Sequence, residues 1–536
     1  MKKLILFLFF TIIVVQLNAS SLQTAPATDS TQTISTRINQ LFTPFVDQLS
    51  AILFWDPFAA IGIYDPQVYD ASGKAVIDAQ GEPVKAPLKL IVIWLMAGGI
   101  FFTFYLRFIN IRAFRHAIGL VSGKHDIVTS KGEVSHFQAL TTALSATVGL
   151  GNIAGVAVAI SIGGPGATIW MILAGLLGMS LKFAECTLGL KYRIINDKGE
   201  VSGGAMYYLK YGLERKGLKT LGIVLAATFS IMAIGGSVGG GNMLQANQAF
   251  EQLTLFFPQF SGYGFWYGVL MALLVGLVII GGIKSIASVT SRIVPLMALL
   301  YVAASLVIIF LHIDQTGHAF SLIWNGAFNA NALKGGVIGV LIFGFQRGAF
   351  SNEAGVGSAS IAHAAAKTDQ PVSEGIVALL EPFVDTVIIC TMTALVIIFS
   401  GVYDDTSGIQ GVSLTSAAYG SVISWFPLVL LAAVTLFAFS TMISWSYYGL
   451  KGFDFLFGGL SQHYFGSRKP AGLLFNGFFL LCIVIGSSAS LGPVMDFSDM
   501  MVLCMAFPNL LGLFILAPEL KKALQIYWHN FVQSKA

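Results

Sequence analysis

An all-α polytopic membrane protein is the fold class this sequence predicts, on three observations. Of 536 residues, 55% are hydrophobic and only 10% are charged, whereas a soluble domain carries about a quarter charged residues to cover its surface. Apolar runs near 20 residues recur through most of the chain, each long enough to cross the hydrocarbon core of a bilayer. Basic residues keep to every second connecting loop. The lipid bilayer is therefore the first partner implied, and no nucleic-acid partner is expected. The net charge of +4 says little by itself, because its distribution decides topology.

The chain opens MKKLILFLFFTIIVVQLNAS, with two lysines, an apolar stretch and Leu17-Asn18-Ala19 before Ser20. This is the pattern of a signal peptide at 1–19, cut after Ala19; the rival reading is an uncleaved anchor helix. Residues 20–87 then form an exported segment. In it Leu41, Phe45, Leu49 and Leu53 recur four apart, as in an amphipathic helix. YDASGKAVIDAQGEPV has the alternation and glycine turns of a small hairpin. Eleven spanning segments follow, near 90–109, 136–160, 166–190, 220–249, 263–282, 286–311, 333–363, 374–400, 425–449, 471–490 and 497–517. The first, at 88–110, stands apart from the other ten, which form a core at 136–518 ahead of a tail at 519–536. Cys186, Cys390, Cys482 and Cys504 all lie in apolar segments without metal-ligand spacing, so they read as small buried side chains.

Charge fixes the orientation. Loop 107–135 holds Arg107, Arg112, Arg115, Lys124 and Lys131, and loop 191–219 holds seven more basic residues. Lys284 and Arg292, then Lys367, then Lys451, Arg468 and Lys469, then Lys521 and Lys522 follow at every second loop. Loops 250–262, 312–332, 401–424 and 487–496 contain no Lys or Arg. This asymmetry puts the C-terminus in the cytoplasm and the segment before residue 88 outside. An exporting signal peptide agrees with it independently.

Two of the spans are weakened in the same way. GLGNIAGVA (149–157) and AFSNEAGVG (349–357) share Asn-x-Ala-Gly-Val at positions 200 apart. The first lies in the second span and the second in the seventh, which run in opposite directions. Counted from the second span, these are helices 1 and 6 of a core. Two five-helix halves of opposite orientation, with helices 1 and 6 interrupted, give the LeuT-type 5+5 inverted repeat, here with one additional N-terminal transmembrane helix. An unwound stretch at mid-membrane frees carbonyls for a cation and exposes amides that attract a carboxylate. Such backbone is tolerated only where it lines a cavity or is buried in protein. Close helix packing through small residues is the competing reading; the pairing, opposite orientation and Asn152 and Asn352 favour a ligand pocket. A dinucleotide site at Gly149-x-Gly151 fails because no strand precedes it.

At these residues the chain resembles the alanine or glycine:cation symporter family, also called sodium:alanine symporters. The resemblance rests on ALSATVGLGNIAGVAVAISIGGPGA (143–167), AGLLGMSLKFAECTLGLKYR (174–193), GNMLQANQA (241–249) and GAFSNEAGVGSASIAHAAAKT (348–368), and covers roughly 88–520. One departure is Thr168-Ile169-Trp170-Met171-Ile172, where the family carries an aromatic run. The resemblance implies secondary active symport of alanine or glycine by alternating access, driven by Na⁺ or, in some members, H⁺. It implies a bacterial inner membrane location, and a monomer is expected.

By similarity to LeuT-type transporters, the carbonyls of Ser145 and Val148 would face Na⁺, with the Phe437 carbonyl and the hydroxyls of Ser440 and Thr441 completing the site. Hard oxygen ligands of this kind suit that ion. Thr147, Gly149 and Gly151 would contact the amino-acid substrate, with Asn242 and Gln245 one turn apart on helix 3. Asn352 and the backbone around Ala354–Gly355 would complete the lining, and Trp445 would wall off side chains larger than methyl. Asn152 and Glu353 are candidates for coupling. Glu185, Arg347, Glu353, Glu381 and Asp385 are costly at membrane depth and call for partners or a cavity. Arg347 is the expected partner of Glu353, unless Glu353 neighbours the substrate amine, and Glu381 and Asp385 read as the boundary of helix 7. A membrane enzyme is disfavoured, since the sequence offers no clustered His ligands, nucleophile elbow or phosphate loop. A receptor with 20–87 as its external module is the third reading.

Overall fold

The computed structural model describes residues 89–124, 130–328, 336–404 and 411–533, with position 87 and short pieces between 43 and 67. The signal peptide and the hairpin expected before residue 88 lie outside the described residues, as do Leu41, Phe45, Leu49 and Leu53, although 43–44, 46–48 and 50 between them are helical.

The first membrane helix is α1 (Leu90–Tyr105). A helix interrupted by a short break follows, as α2 (His136–Thr147) and α3 (Ala154–Gly163). Then come α4 (Ala167–Lys191), α5 (Lys219–Phe256), α6 (Gly264–Ile279), α7 (Gly282–Leu311) and α8 (Thr316–Phe328). The second half brings α9 (Gly336–Asn352), α10 (Ala359–His363), α11 (Pro371–Ser400) and α12 (Gly411–Val422). It closes with α13 (Phe426–Phe465), α14 (Lys469–Gly486) and α15 (Leu491–Asn530). A two-stranded antiparallel ribbon, β1 (Ile194–Ile195) and β2 (Val201–Ser202), hangs from the end of α4.

Seven described helices are long and apolar enough to cross a membrane, and eight if the bent pair α2–α3 counts as one span. The apolar helices α1 and α6 are shorter, at 16 residues each. The segment expected at 333–363 is divided into α9 and α10. Two loops expected to be plain connections carry α8 and α12, and the tail expected from 519 continues α15 as far as Asn530. The sequence is consistent with this last continuation, since Pro518 is followed by a run of good helix formers.

Burial separates an inner set of helices from an outer set. The apolar window of α15 is 78% buried and that of α4 is 67% buried, against 33% for α7 and for α14. On α6 and α7 Leu277, Leu299 and Phe310 are exposed, as is Ile280 at the end of α6. In water such a belt would be a liability; here it is the surface that meets lipid tails. Among the inner helices α9 lies along α4, with Gly344 and Gly348 set against Ala167 and Met171, and α13 lies against α5, α2 and the more exposed α7.

Local departures from helical geometry set up the interior. In α5 the run GGGNM (Gly239–Met243) forms a π-turn. In α11 a longer π-turn, Phe383–Cys390, begins directly after Pro382. Proline has no N–H to donate and its ring crowds the preceding turn, which loosens the ladder there. π-turns of this kind re-aim side chains, and this one carries Asp385.

Candidate functional site

The first break begins with a well-made helix. Ser135 Oγ accepts from the amide of Gln138 at 3.2 Å, and Gln138 Oε1 accepts from the amide of Ser135 at 3.1 Å, so α2 starts on a reciprocal cap. It stops at Thr147. Val148 turns extended at ψ 90°, Gly149 follows, and a single 3₁₀ turn (Leu150–Asn152) leads into α3. The axis bends by 55° across the gap. A side chain at Gly149 could not be accommodated: a Cβ would lie 2.7 Å from Thr441 Oγ1 and 3.2 Å from Gln245 Oε1.

Asn152 holds this turn. Its Oδ1 accepts from the amide of Gly149 at 2.8 Å, while its Nδ2 donates to Asp385 Oδ1 at 2.7 Å and to the Asp385 carbonyl at 3.0 Å. Released backbone groups find other partners. The Asn152 carbonyl accepts from Thr393 Oγ1 at 2.8 Å, the Ile153 carbonyl from Thr415 Oγ1 at 3.2 Å, and the Leu150 amide donates to Gln245 Oε1 at 3.3 Å. The break is thus satisfied by side chains from α5, α11 and α12, as buried backbone requires.

The second break mirrors the first. α9 ends at Asn352, and Glu353 takes the left-handed conformation at φ 54°, followed by Gly355 at 85° and Gly357 at 94°. A left-handed glutamate is strained, and is retained only where its surroundings fix it. Asn352 Oδ1 accepts from the amide of Ala354 at 2.9 Å, and its Nδ2 donates to Thr386 Oγ1 at 3.0 Å. Glu353 accepts from Ser358 Oγ and, at 3.2 Å, from Trp445 Nε1. Asp385 joins the two breaks: besides Asn152 it accepts from Ser351 Oγ and from Thr386 Oγ1, both at 2.8 Å. At Gly151 the chains come close, since a Cβ there would lie 3.4 Å from the Cα of Ser351.

The residues expected to hold Na⁺ interlock between α2 and α13. Ser145 Oγ donates to the Ser440 carbonyl at 2.6 Å, and Thr441 Oγ1 donates to the Ser145 carbonyl at 2.9 Å. Ser440 Oγ donates to the Phe437 carbonyl at 3.0 Å, and Val148 is the first residue past α2. All five are buried.

The expected substrate residues are only partly gathered. Gly149, Gly151, Gln245, Asn352 and Glu353 lie at or between the breaks. Thr147 Oγ1 instead bonds back to its own helix, at 3.3 Å from the Ala143 carbonyl. Asn242 turns to α14, donating to the Phe479 carbonyl at 2.7 Å. Gly355 offers its carbonyl to Asn509 Nδ2 at 2.8 Å. Trp445 is packed on Gly241, where a Cβ would come within 2.1 Å of its Cγ, and its indole N–H is shared between Glu353 and the Ala146 carbonyl at 3.2 Å. Its indole ties α2 to the second break.

The charged residues differ from expectation. Arg347 does not pair with Glu353 but with Asp499 on α15, one contact being 3.0 Å. Asp385 sits beside the first break, away from any helix boundary. Glu381 pairs at 2.8 Å with Lys182, which also lies 3.8 Å from Glu185. Glu374 bridges His136 and His363, the latter at 2.6 Å. Lys182, Asp499, His136 and His363 were missed by sequence reasoning. The available signal was a lysine inside the apolar run of α4, which at that depth demands an acidic partner.

The apolar helices make this a multi-pass membrane protein, and the family and relatives it matches are transporters, not enzymes. The chain belongs to the sodium:alanine symporter family, whose profile matches residues 71–536. It is 41% identical over 432 residues to the sodium/alanine symporter AgcS of Methanococcus maripaludis, covering 80% of this chain and 91% of that one. It is 34% identical over 445 residues to a probable sodium/glutamine symporter, GlnT, of Bacillus subtilis, covering 82% of this chain and 88% of the relative. Among solved structures, MhsT in complex with L-phenylalanine is 16% identical with a TM-score of 0.49, over 74% of this chain and 99% of that one.

Proposed function

We propose that the protein couples Na⁺ entry to uptake of alanine, glycine or both across a bacterial inner membrane, by alternating access. The core is read as two five-helix halves of opposite orientation, with α1 added before them. The observation that carries the proposal is the interlock of Ser145 with Ser440 and Thr441 beside the first break. It supplies uncharged oxygen ligands at a buried position, the donor set a dehydrated alkali cation needs. The substrate's charged ends would lie between Gly149, Gly151, Gln245 and Asn352, where the backbone is unwound. Asn152 would couple the ion to this pocket.

Labelled alanine uptake into proteoliposomes tests the reading. Accumulation is expected with an inward Na⁺ gradient and not with a K⁺ gradient; uptake indifferent to Na⁺ would remove the coupling claim. A competition panel of glycine, D-alanine, serine and glutamine sets the substrate range. Proton coupling is the second reading, favoured by the buried Glu353 carboxyl in the second break. Uptake driven by a pH gradient alone and lost in Glu353→Gln would establish it. Gly149→Ala is expected to abolish uptake, because the added methyl meets Thr441 Oγ1 at 2.7 Å, and the thermal midpoint in detergent separates loss of the site from loss of the fold. Normal uptake by that variant would contradict the pocket's position.

A further inference from the structure

The chain just before α2 and just after α10 is fastened together. Val134 and Ala366 form a parallel bridge. The amide of Glu133 donates to the Ala365 carbonyl at 2.8 Å, and the amide of Lys367 donates to the Val134 carbonyl at 2.7 Å. Arg193, two residues past α4, closes the joint. Its Nη1 donates to the carbonyls of Ala364 at 2.8 Å and Ala366 at 2.6 Å, and its Nη2 to those of Lys131 and Thr368, both at 2.8 Å. A planar guanidinium, with donors in a fixed fork, can hold several carbonyls at once where an ammonium cannot.

The neighbouring ribbon extends the fastening to α13. Glu133 Oε1 accepts from the amide of Val201 at 2.7 Å, and Lys451 Nζ donates to the Val201 carbonyl at 2.7 Å. Behind the joint Glu374 bridges His136, which starts α2, and His363, which ends α10. Contact is close: Gly132 has φ 147°, and a Cβ on it would lie 2.4 Å from the Ala366 carbonyl oxygen.

The elements joined are significant. α2 precedes the first break and α10 follows the second, so the strap ties together the two half-helices on one face of the protein. Lys131, Arg193, Lys198 and Lys367 mark this face as the one that loop charge assigns to the cytoplasm. A solute held between the breaks can leave toward that face only if α2 parts from α10. All four partners of Arg193 are backbone carbonyls, which water satisfies when the joint opens, so the fastening is reversible.

We propose that Arg193 fastens a cytoplasmic strap, built from 131–134, 364–368 and the β1–β2 ribbon, that locks α2 to α10 and releases once in each transport cycle. The proposal rests on the symport reading above. Arg193 touches no substrate; it acts as a positioning residue through the two half-helices.

Hydrogen exchange read by mass spectrometry on the purified full-length protein, alongside proteoliposome uptake, tests this. Arg193→Gln removes the fastener and Gly132→Ala wedges the joint at the Ala366 carbonyl. In both, exchange over 131–147 and 359–368 is expected to quicken by at least about tenfold, since several charge-assisted hydrogen bonds are lost, with exchange over 282–311 unchanged. Maximal uptake is expected to fall at least about threefold, with the alanine KM held within about threefold, because the step lost is conformational. Arg193→Lys should restore part of both. Unchanged exchange at the joint, or an equal rise over 282–311, overturns the strap. A wild-type protein that accumulates no alanine under any gradient overturns the symport reading instead, and the exchange data still decide the strap.

Discussion

Thr441→Ala is expected to raise the Na⁺ concentration for half-maximal uptake by about tenfold to a hundredfold. The argument is one of donor count. Thr441 is buried, and its hydroxyl oxygen lies 2.9 Å from the Ser145 carbonyl oxygen, so two oxygens already converge where the ion is proposed to sit. A hydroxyl proton rotates to suit its surroundings, so the oxygen that now donates to Ser145 can turn its lone pairs to a cation. Deleting one polar partner of a charged group costs about 1.5–3 kcal/mol, and each 1.4 kcal/mol is tenfold in affinity. Thr441→Ser keeps the oxygen and should stay near wild type. At saturating Na⁺ the Ala variant should recover most of its maximal rate, since the lost interaction is with the ion. A Na⁺ dependence unchanged in Thr441→Ala would sink the site assignment.

The second large effect is on stability. Lys182 is wholly buried on α4, 2.8 Å from Glu381 and 3.8 Å from Glu185, both also wholly buried. Forming such a cluster need not favour folding much, because desolvation offsets the attraction. Breaking it is different: Lys182→Met takes the lysine from two carboxylates and leaves Glu381, among the described residues, only His363 Nε2 at 3.7 Å, and the loss of one partner of a buried pair costs about 3–5 kcal/mol. The variant should show a clearly lower thermal midpoint in detergent and a smaller folded fraction after solubilisation. Adding Glu381→Gln to Lys182→Met should recover part of the loss, since the neutral amide no longer needs a counter-ion. A Lys182→Met protein with the wild-type midpoint would show that the cluster does not hold the inner helices together.

The sequence made the breaks legible and left most of what surrounds them hidden, for a physical reason. Glycine and asparagine inside an apolar run are local signals, and α2 and α9 end at Thr147 and Asn352, inside the stretches those residues marked. Partners across the fold leave no local trace. Arg347 could be seen to need an acid, but Glu353, six residues on, was the visible candidate, whereas the actual partner, Asp499, is 152 residues away. Asp385 looked like a helix-boundary residue because Pro382 stands just before it. In fact the proline loosens the helix into a π-turn that turns the carboxylate toward Asn152 and Ser351. Hydroxyl direction was equally invisible: Thr147 and Thr441 differ in no sequence feature that would send one back to its own helix and the other across to α2. The extent of the helices past 449 and 519 went unread because hydropathy marks where a chain leaves the bilayer, while α13 and α15 keep their hydrogen bonds beyond that point.

Asn152 has a further consequence. Its carboxamide is fully used, one end gripping the Gly149 amide and the other gripping Asp385, which in turn holds Ser351. A change at either break therefore does work on the other through one rigid lever. Free energy exchanged in this way is symmetric: with Na⁺ and the amino acid bound as proposed, whatever factor one adds to the affinity for the other is returned in equal measure. The two equilibrium binding curves, each taken with the other ligand present and absent, should shift by one common ratio, and the lever between the breaks is two side chains long, Asn152 and Asp385.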